Sequence, residues 1–241
     1  MKKVALSLFA VLLLCSCNQS SGSKSNEAEN DSLAQNAETG VESDDNFNFA
    51  HSDAKLFELF GKVKSMTLKT YYDADEDGNV KDDDFGEPDR YYFKSDGELD
   101  MTKEIVWRLQ DPKIKRNSDG QIVKVSWYIS EFDSNISNVY EYDKFGMVKT
   151  LESEGIESTS TTGYTYDENK NLASAVEESA GEGSIFHTDI LYTITETDSH
   201  NNWTRRLIRF HQKMGDDDGS NKFTEDYTFF QVQVREIEYY E

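Results

Sequence analysis

One short turn motif recurs along most of the chain and constrains its fold more than any other feature. Each copy has a turn-forming residue, then Gly, Lys or Asn at a fixed position, then one residue and an apolar side chain. Asp or Asn opening a turn, followed by Gly in the left-handed conformation, is typical of hairpin loops of about three to five residues. The copies are YDADEDGNV (72–80), FKSDGEL (93–99), RNSDGQI (116–122), YDKFGMV (142–148), YDENKNL (166–172) and TDSHNNW (197–203).

The spacing of the motif predicts a series of β-hairpins. The Gly-equivalent positions are 78, 97, 120, 146, 170 and 201, so consecutive copies lie 19 to 31 residues apart, which is about two strands. A single hairpin is marginally stable in water and needs its neighbours. We therefore expect an all-β fold, an antiparallel meander of about 12 strands. The sequence leaves open whether the sheet stays open and twisted or partly closes.

Alternating side chains between the turns support this fold. Apolar and polar residues that alternate with a period of two are typical of strands, and β-branched and aromatic residues favour them. The pattern predicts three such strands in particular. The first has Val123, Val125 and Trp127 on one face, and the second has Ile105, Trp107 and Leu109 on one face. The third has Trp203 and Leu207 on the face opposite Thr204, Arg206 and Ile208.

The N-terminus predicts export and a lipid anchor. Lys2 and Lys3 precede an apolar run of about 11 residues, which is too short to span a bilayer and is typical of a signal peptide. The sequence LCSC that follows resembles a bacterial lipobox, which implies lipidation at Cys17; a plain secretory signal is the alternative. We predict a signal over 1–17, a polar disordered tether over 18–53 and a β-hairpin domain over 54–241.

Cysteine content and charge narrow the function. Both cysteines lie in the predicted signal, so the mature domain has no disulfide, thiolate metal ligand or Cys nucleophile. The formal net charge of −22 disfavours nucleic-acid binding. Contact with the membrane is therefore expected only through N-terminal acyl chains.

Two of the turn copies resemble a known repeat. YDKFGMV and YDENKNL are similar to YD repeats of the RHS-like type. The segments DSHNNWTRRLIRF and REIEYYE resemble the end of repeat-containing lipoproteins of the Gram-negative cell envelope. The resemblance covers about 60–241. It implies a β-hairpin array in the envelope, most naturally at the outer membrane, and leaves open whether the protein faces the periplasm or the surface. The family supplies no catalytic residues.

The stretch DADEDGNVKDDD (73–84) has the ligand spacing of a calcium loop. Asp73, Asp75, Asp77 and Asp84 occupy positions 1, 3, 5 and 12, with Gly78 at position 6. The flanking residues predict strands rather than helices, and the turn motif accounts for Gly78 without a metal. Two hypotheses follow: a calcium-dependent binding module that uses Asp73, Asp75, Asp77 and Asp84, or a solvated acidic hairpin tip.

No catalytic motif is evident in the sequence, so we expect a protein that is not an enzyme and needs no cofactor, apart from the calcium alternative. His187 and Asp189, two residues apart on one predicted strand face, are the one suggestive pair among four His. An envelope hydrolase remains a third alternative because acids are abundant.

The aromatic side chains predict a binding face. Tyr128, Tyr140 and Tyr142 are expected on the less buried face, where they would stack on a glycan or a protein partner; core packing is the alternative. The leading expectation is a non-catalytic, lipid-anchored envelope protein that acts as a binding or structural module.

Overall fold

The computed structural model describes residues 53–80, 87–103, 112–130, 132–217 and 222–241, and the fold is all-β. A short 3₁₀ helix, Asp53–Phe57, precedes 11 described strands. The strands are β1 (Val63–Ala74), β2 (Asp89–Tyr92), β3 (Lys113–Arg116), β4 (Ile122–Ile129), β5 (Ser134–Tyr142), β6 (Val148–Glu154), β7 (Ser158–Tyr166), β8 (Leu172–Gly181), β9 (Ser184–Thr197), β10 (Trp203–Asp216) and β11 (Phe223–Tyr239).

The described strands form one antiparallel sheet in meander order. From β3 to β11 every strand pairs with the next one along the chain, and β11 then pairs with β1, which pairs with β2. The two edge strands are β2 and β3, which follow each other in sequence but lie at opposite edges of the sheet. The predicted all-β meander is confirmed, and the 11 described strands form an open sheet, with no pairing between β2 and β3 to close it into a barrel. The strand predicted around Trp107 lies outside the described residues.

The six copies of the motif form the same turn. In each, the first turn residue donates its N–H to the carbonyl four residues on and accepts the N–H of the residue three positions on, at 2.8–3.2 Å. The residue three positions after the first turn residue has positive φ in every copy, between 62° at Asn201 and 84° at Gly97. In the five copies that begin with Asp or Asn, the side-chain Oδ1 accepts two further backbone N–H groups, as Asp143 does from Phe145 and Met147. The turn prediction is confirmed at all six positions, including Lys170.

The main core cluster lies on the inner face of the sheet and is capped by the N-terminal segment. Phe57 packs against Tyr91 and Phe93, with ring centroids 4.5 and 5.6 Å apart. The same cluster contains Ile122 and Val125 from β4, next to the opposite edge of the sheet. The sheet therefore curves, because residues near both edges share one core.

Asp53 links the two edges at this end. Its buried carboxylate forms a two-point ion pair with Arg116 of β3, with N–O distances of 2.7 and 2.8 Å, and accepts the backbone N–H of Leu99, beyond β2, at 2.7 Å. Arg116 also lies 3.5 Å from Glu98. Asp53 was predicted to end the tether, whereas in the structure it is part of the folded domain.

A β-bulge changes the faces predicted for β10. The pairing with β9 shifts register between Trp203 and Arg206. As a result, Trp203 and Arg206 lie on the inner face together, with the guanidinium carbon 4.0 Å from the indole ring, and Ile208 is buried there as well. The prediction that Arg206 and Ile208 oppose Trp203 is therefore wrong, because alternation reverses when one extra residue is inserted.

Residues 1–52 lie outside the described residues. They include the predicted signal, Cys17 and nearly all of the predicted tether. Among the residues that are described, no helix is long and apolar enough to cross a membrane.

Candidate functional site

Two histidines and three carboxylates form a row on the outer face of the sheet, the face opposite the core. Glu178 Oε1 lies 2.6 Å from Nδ1 of His187. Asp189 Oδ2 lies 3.5 Å from Nε2 of His187 and 3.7 Å from Nδ1 of His211. Asp226 Oδ1 then lies 2.8 Å from Nε2 of His211. We call these five side chains the histidine–carboxylate row.

The strand register brings the row together from four strands. His187 and Asp189 are two residues apart on β9, so they point to the same face. Glu178 of β8 lies directly opposite His187, and His211 of β10 lies directly opposite Asp189. Asp226 of β11 lies directly opposite Lys213, two pairs along from His211. Since directly opposed residues of antiparallel strands share a face, the row is fixed by pairing alone.

Only part of this row was predictable from the sequence, which pairs His187 with Asp189 on one strand face. In the structure β10 continues to Asp216, which places His211 in mid-strand. The partners come from the consecutive strands β8 to β11, and only the register of these strands decides which residues face one another.

A shallow recess of about 290 Å³ adjoins the row on the same face. Val176 and Leu191 contribute exposed apolar side chains, and Arg209, Asp189 and His211 contribute charged or polar ones. The combination of apolar surface with a few converging polar groups is typical of binding sites.

Glu177, the sequence neighbour of Glu178, lies on the inner face and is buried. It is 5% exposed, lies opposite Thr162 and Thr188, and its Oε2 has no hydrogen-bond partner among the described residues. Burial raises the pKa of Glu177 from its ordinary value of 4.5 to about 7. Adjacent residues of a strand point to opposite faces of the sheet, so Glu177 and Glu178 cannot act as an acid–base pair.

A second group of charged side chains is buried under the N-terminal segment. Arg206 Nη1 donates to Glu58 Oε2 at 2.9 Å, and Trp203 Nε1 donates to the same oxygen at 2.8 Å. Arg235 lies on the other side of the group, 3.8 Å from the Trp203 ring, and donates to the carbonyl of Phe57. Burial lowers the pKa of Arg235 to about 9, so it stays protonated near neutral pH. The space beside this group is only about 30 Å³, so we assign it to folding rather than binding.

The three tyrosines predicted to form a binding face do not share one. Trp127 of β4 lies opposite Ile136 of β5, which puts Tyr140 on the core side with Trp127. Tyr140 is 5% exposed, and burial raises its pKa to about 12. Tyr142 is partly buried and donates to the carbonyl of Ile122. Tyr128 alone is exposed, so the prediction of a shared exposed face is wrong.

The described part of the acidic loop forms the common turn of the repeat. Asp75 Oδ1 accepts the backbone N–H groups of Asp77 and Asn79 at 3.0 and 2.8 Å, as the equivalent residues do in the other copies. Asp73 and Asp77 are exposed, and Asp84 lies outside the described residues. The turn accounts for Asp75 without a metal, and the calcium hypothesis stays a prediction.

Comparisons with known proteins add no assignment: no family model matches the chain, and no curated protein matches it. The resemblance to YD repeats therefore remains an expectation from the sequence.

Proposed function

We propose that this protein is a non-catalytic, lipid-anchored envelope protein whose sheet serves as a binding platform. The observation that carries the proposal is the exposed outer face of β8–β10, with its recess beside the histidine–carboxylate row. Val176 and Leu191 are 43% and 49% exposed there, although both lie in long, regular strands. Apolar side chains grouped beside charged ones on a rigid sheet support recognition of a protein or glycan partner.

The uniform turns also support a platform rather than a catalyst. Six copies of one turn, five of them capped by an Asp or Asn side chain, give a rigid array of hairpins. The buried carboxylate Glu177 and the outer row lie on opposite faces of the sheet, so they do not form one reaction centre.

Site-specific photo-crosslinking in intact cells tests the outer face. A benzophenone side chain replaces Leu191, and in a matched control it replaces Phe132, which is 58% exposed in the turn between β4 and β5. We expect a discrete crosslinked species from position 191 and none from 132. Equal crosslinking at both positions, or none at 191, would contradict a binding role for this face.

The lipid anchor is tested separately. Cys17→Ser removes the predicted acylation site, so we expect the protein to move from the membrane fraction to the soluble fraction and to lose labelling by a fatty-acid analogue. Cys15→Ser is the matched control and should leave both unchanged. Membrane retention of the Cys17→Ser protein would count against the anchor without bearing on the outer face.

A further inference from the structure

The imidazoles of the histidine–carboxylate row are each held from outside by a carboxylate. Glu178 lies 2.6 Å from Nδ1 of His187, and Asp226 lies 2.8 Å from Nε2 of His211. The remaining nitrogen of each ring lies 3.5 Å (His187) or 3.7 Å (His211) from the same atom, Asp189 Oδ2. The arrangement has two carboxylate–imidazole pairs that converge on one central carboxylate oxygen.

The chemistry of neutral imidazole makes the centre of this row electron-rich. A neutral imidazole has one N–H and one lone pair. When His187 donates its N–H to Glu178 and His211 donates its N–H to Asp226, the unprotonated nitrogen of each ring is the one that lies 3.5–3.7 Å from Asp189 Oδ2. These groups repel one another unless a proton or a metal cation lies between them.

The central distances are longer than hydrogen bonds and close to the separation of two ligands on one metal. Asp189 Oδ2 lies 3.5 Å from His187 Nε2 and 3.7 Å from His211 Nδ1, whereas N–H···O bonds are about 2.7–3.2 Å. Two ligands at about 2.0–2.1 Å from a tetrahedral zinc ion lie about 3.4 Å apart. The outer carboxylates match the supporting partners that orient metal-bound imidazoles.

We propose that His187, Asp189 and His211 bind a divalent transition-metal ion of the zinc class, with Glu178 and Asp226 orienting the two imidazoles. Imidazole ligands favour zinc, copper and nickel over calcium and magnesium. Lys213 of β10 lies directly opposite both His187 and Asp226, and Arg209 lies two residues before His211 on the same strand. The three carboxylates of the row outnumber these two cations, so the site retains negative charge to receive a cation.

Binding requires a local adjustment of side chains. Among the described residues, no three His, Cys, Asp or Glu side chains already stand in the geometry of a metal site. Both histidine–aspartate pairs, at 3.5 and 3.7 Å, are close to the required separation, so binding requires the side chains of His187, Asp189 and His211 to close around the ion. The side chains of His187 and His211 are 24% and 31% exposed, and Asp189 is 51% exposed, so this movement is not blocked by core packing.

Isothermal titration of the metal-free, tag-free protein with zinc chloride near neutral pH tests the proposal. We expect one saturable site per chain that calcium chloride does not compete for. Asp226→Asn should weaken zinc binding by about 10- to 100-fold because it loosens the orientation of His211, and His211→Gln should weaken it further. His51→Gln is the matched control and should bind as the unaltered protein does.

Two further measurements make the result decisive. Zinc affinity should fall as the pH falls, since the ligating nitrogens must be deprotonated. Thermal unfolding in EDTA should be the same for His211→Gln and the unaltered protein, which separates loss of binding from loss of folding. Absence of a saturable site, or a site that survives the double substitution His187→Gln with His211→Gln, would overturn the proposal. It does not depend on a partner at the recess, so failure of the crosslinking experiment leaves it standing.

Discussion

Glu177→Gln should change the pH dependence of stability by a calculable amount. The carboxyl of Glu177 is 5% exposed, and its folded pKa of about 7 exceeds its ordinary value of 4.5. Between these values the folded state keeps a proton that the unfolded state has lost. The free energy of unfolding therefore decreases as the pH rises through this window. Below about pH 4.5 both states are protonated and the penalty is absent.

The magnitude follows from the size of the shift. One pKa unit corresponds to about 1.4 kcal/mol, so a shift from 4.5 to about 7 destabilises the folded protein by about 3 kcal/mol at high pH. About 2.5 kcal/mol of this develops between pH 5 and pH 8. Because Gln does not ionise, the free energy of unfolding of the variant does not decrease in this way as the pH rises. Any cost of burying the amide is the same at both pH values and cancels in the comparison.

Urea unfolding followed by tryptophan fluorescence, at about pH 5 and about pH 8, measures the difference. From the lower to the higher pH, the free energy of unfolding of Glu177→Gln should increase by about 2.5 kcal/mol relative to that of the unaltered protein. Burial also raises the pKa of Asp89, to about 6, so only the difference between the two proteins isolates Glu177. Glu152→Gln, an exposed change on β6, is the control. A difference between Glu177→Gln and the unaltered protein that is the same at both pH values would refute the reasoning.

Three further predictions concern the turns and the Asp53–Arg116 ion pair that links the two edges of the sheet. Asp53→Ala should destabilise the fold by about 2–3 kcal/mol, since it leaves Arg116 without its buried partner. A double-mutant cycle with Arg116→Ala should show coupling between the two residues. Additive effects would contradict a stabilising ion pair between Asp53 and Arg116. Lys170→Gly should stabilise by about 0.5–1 kcal/mol in urea unfolding, because Lys170 has a φ of 66°; a loss of stability would show that the Lys side chain matters more than backbone strain. Melting temperatures in EDTA and in millimolar calcium should be equal, since Asp75 caps its own turn. A calcium-specific rise that Asp75→Ala with Asp77→Ala abolishes would instead establish the calcium loop.

The local structure of the repeat follows from its short sequence motif. Positive φ at the six Gly-equivalent positions and the capping by Asp or Asn depend on residues at most four apart, so a short motif contains the whole interaction. Alternation within a strand is similarly local, which is why the inner face of β4 and the opposite orientations of Glu177 and Glu178 were predictable. The meander follows from turns that join neighbouring strands.

Contacts between different strands and segments could not be predicted from local patterns. Strand β1 pairs with β11, and Asp53 forms an ion pair with Arg116. Both contacts join residues that are too far apart in the chain for a local sequence pattern to predict. The bulge near Trp203 reversed the alternation of β10, and the face of Tyr140 depended on its pairing with β4 through Ile136 and Trp127. The histidine–carboxylate row has the same origin. Its members come from four strands, and only the register of those strands places His211 beside Asp189, because register is fixed by the burial of the whole inner face rather than by any residue of the row.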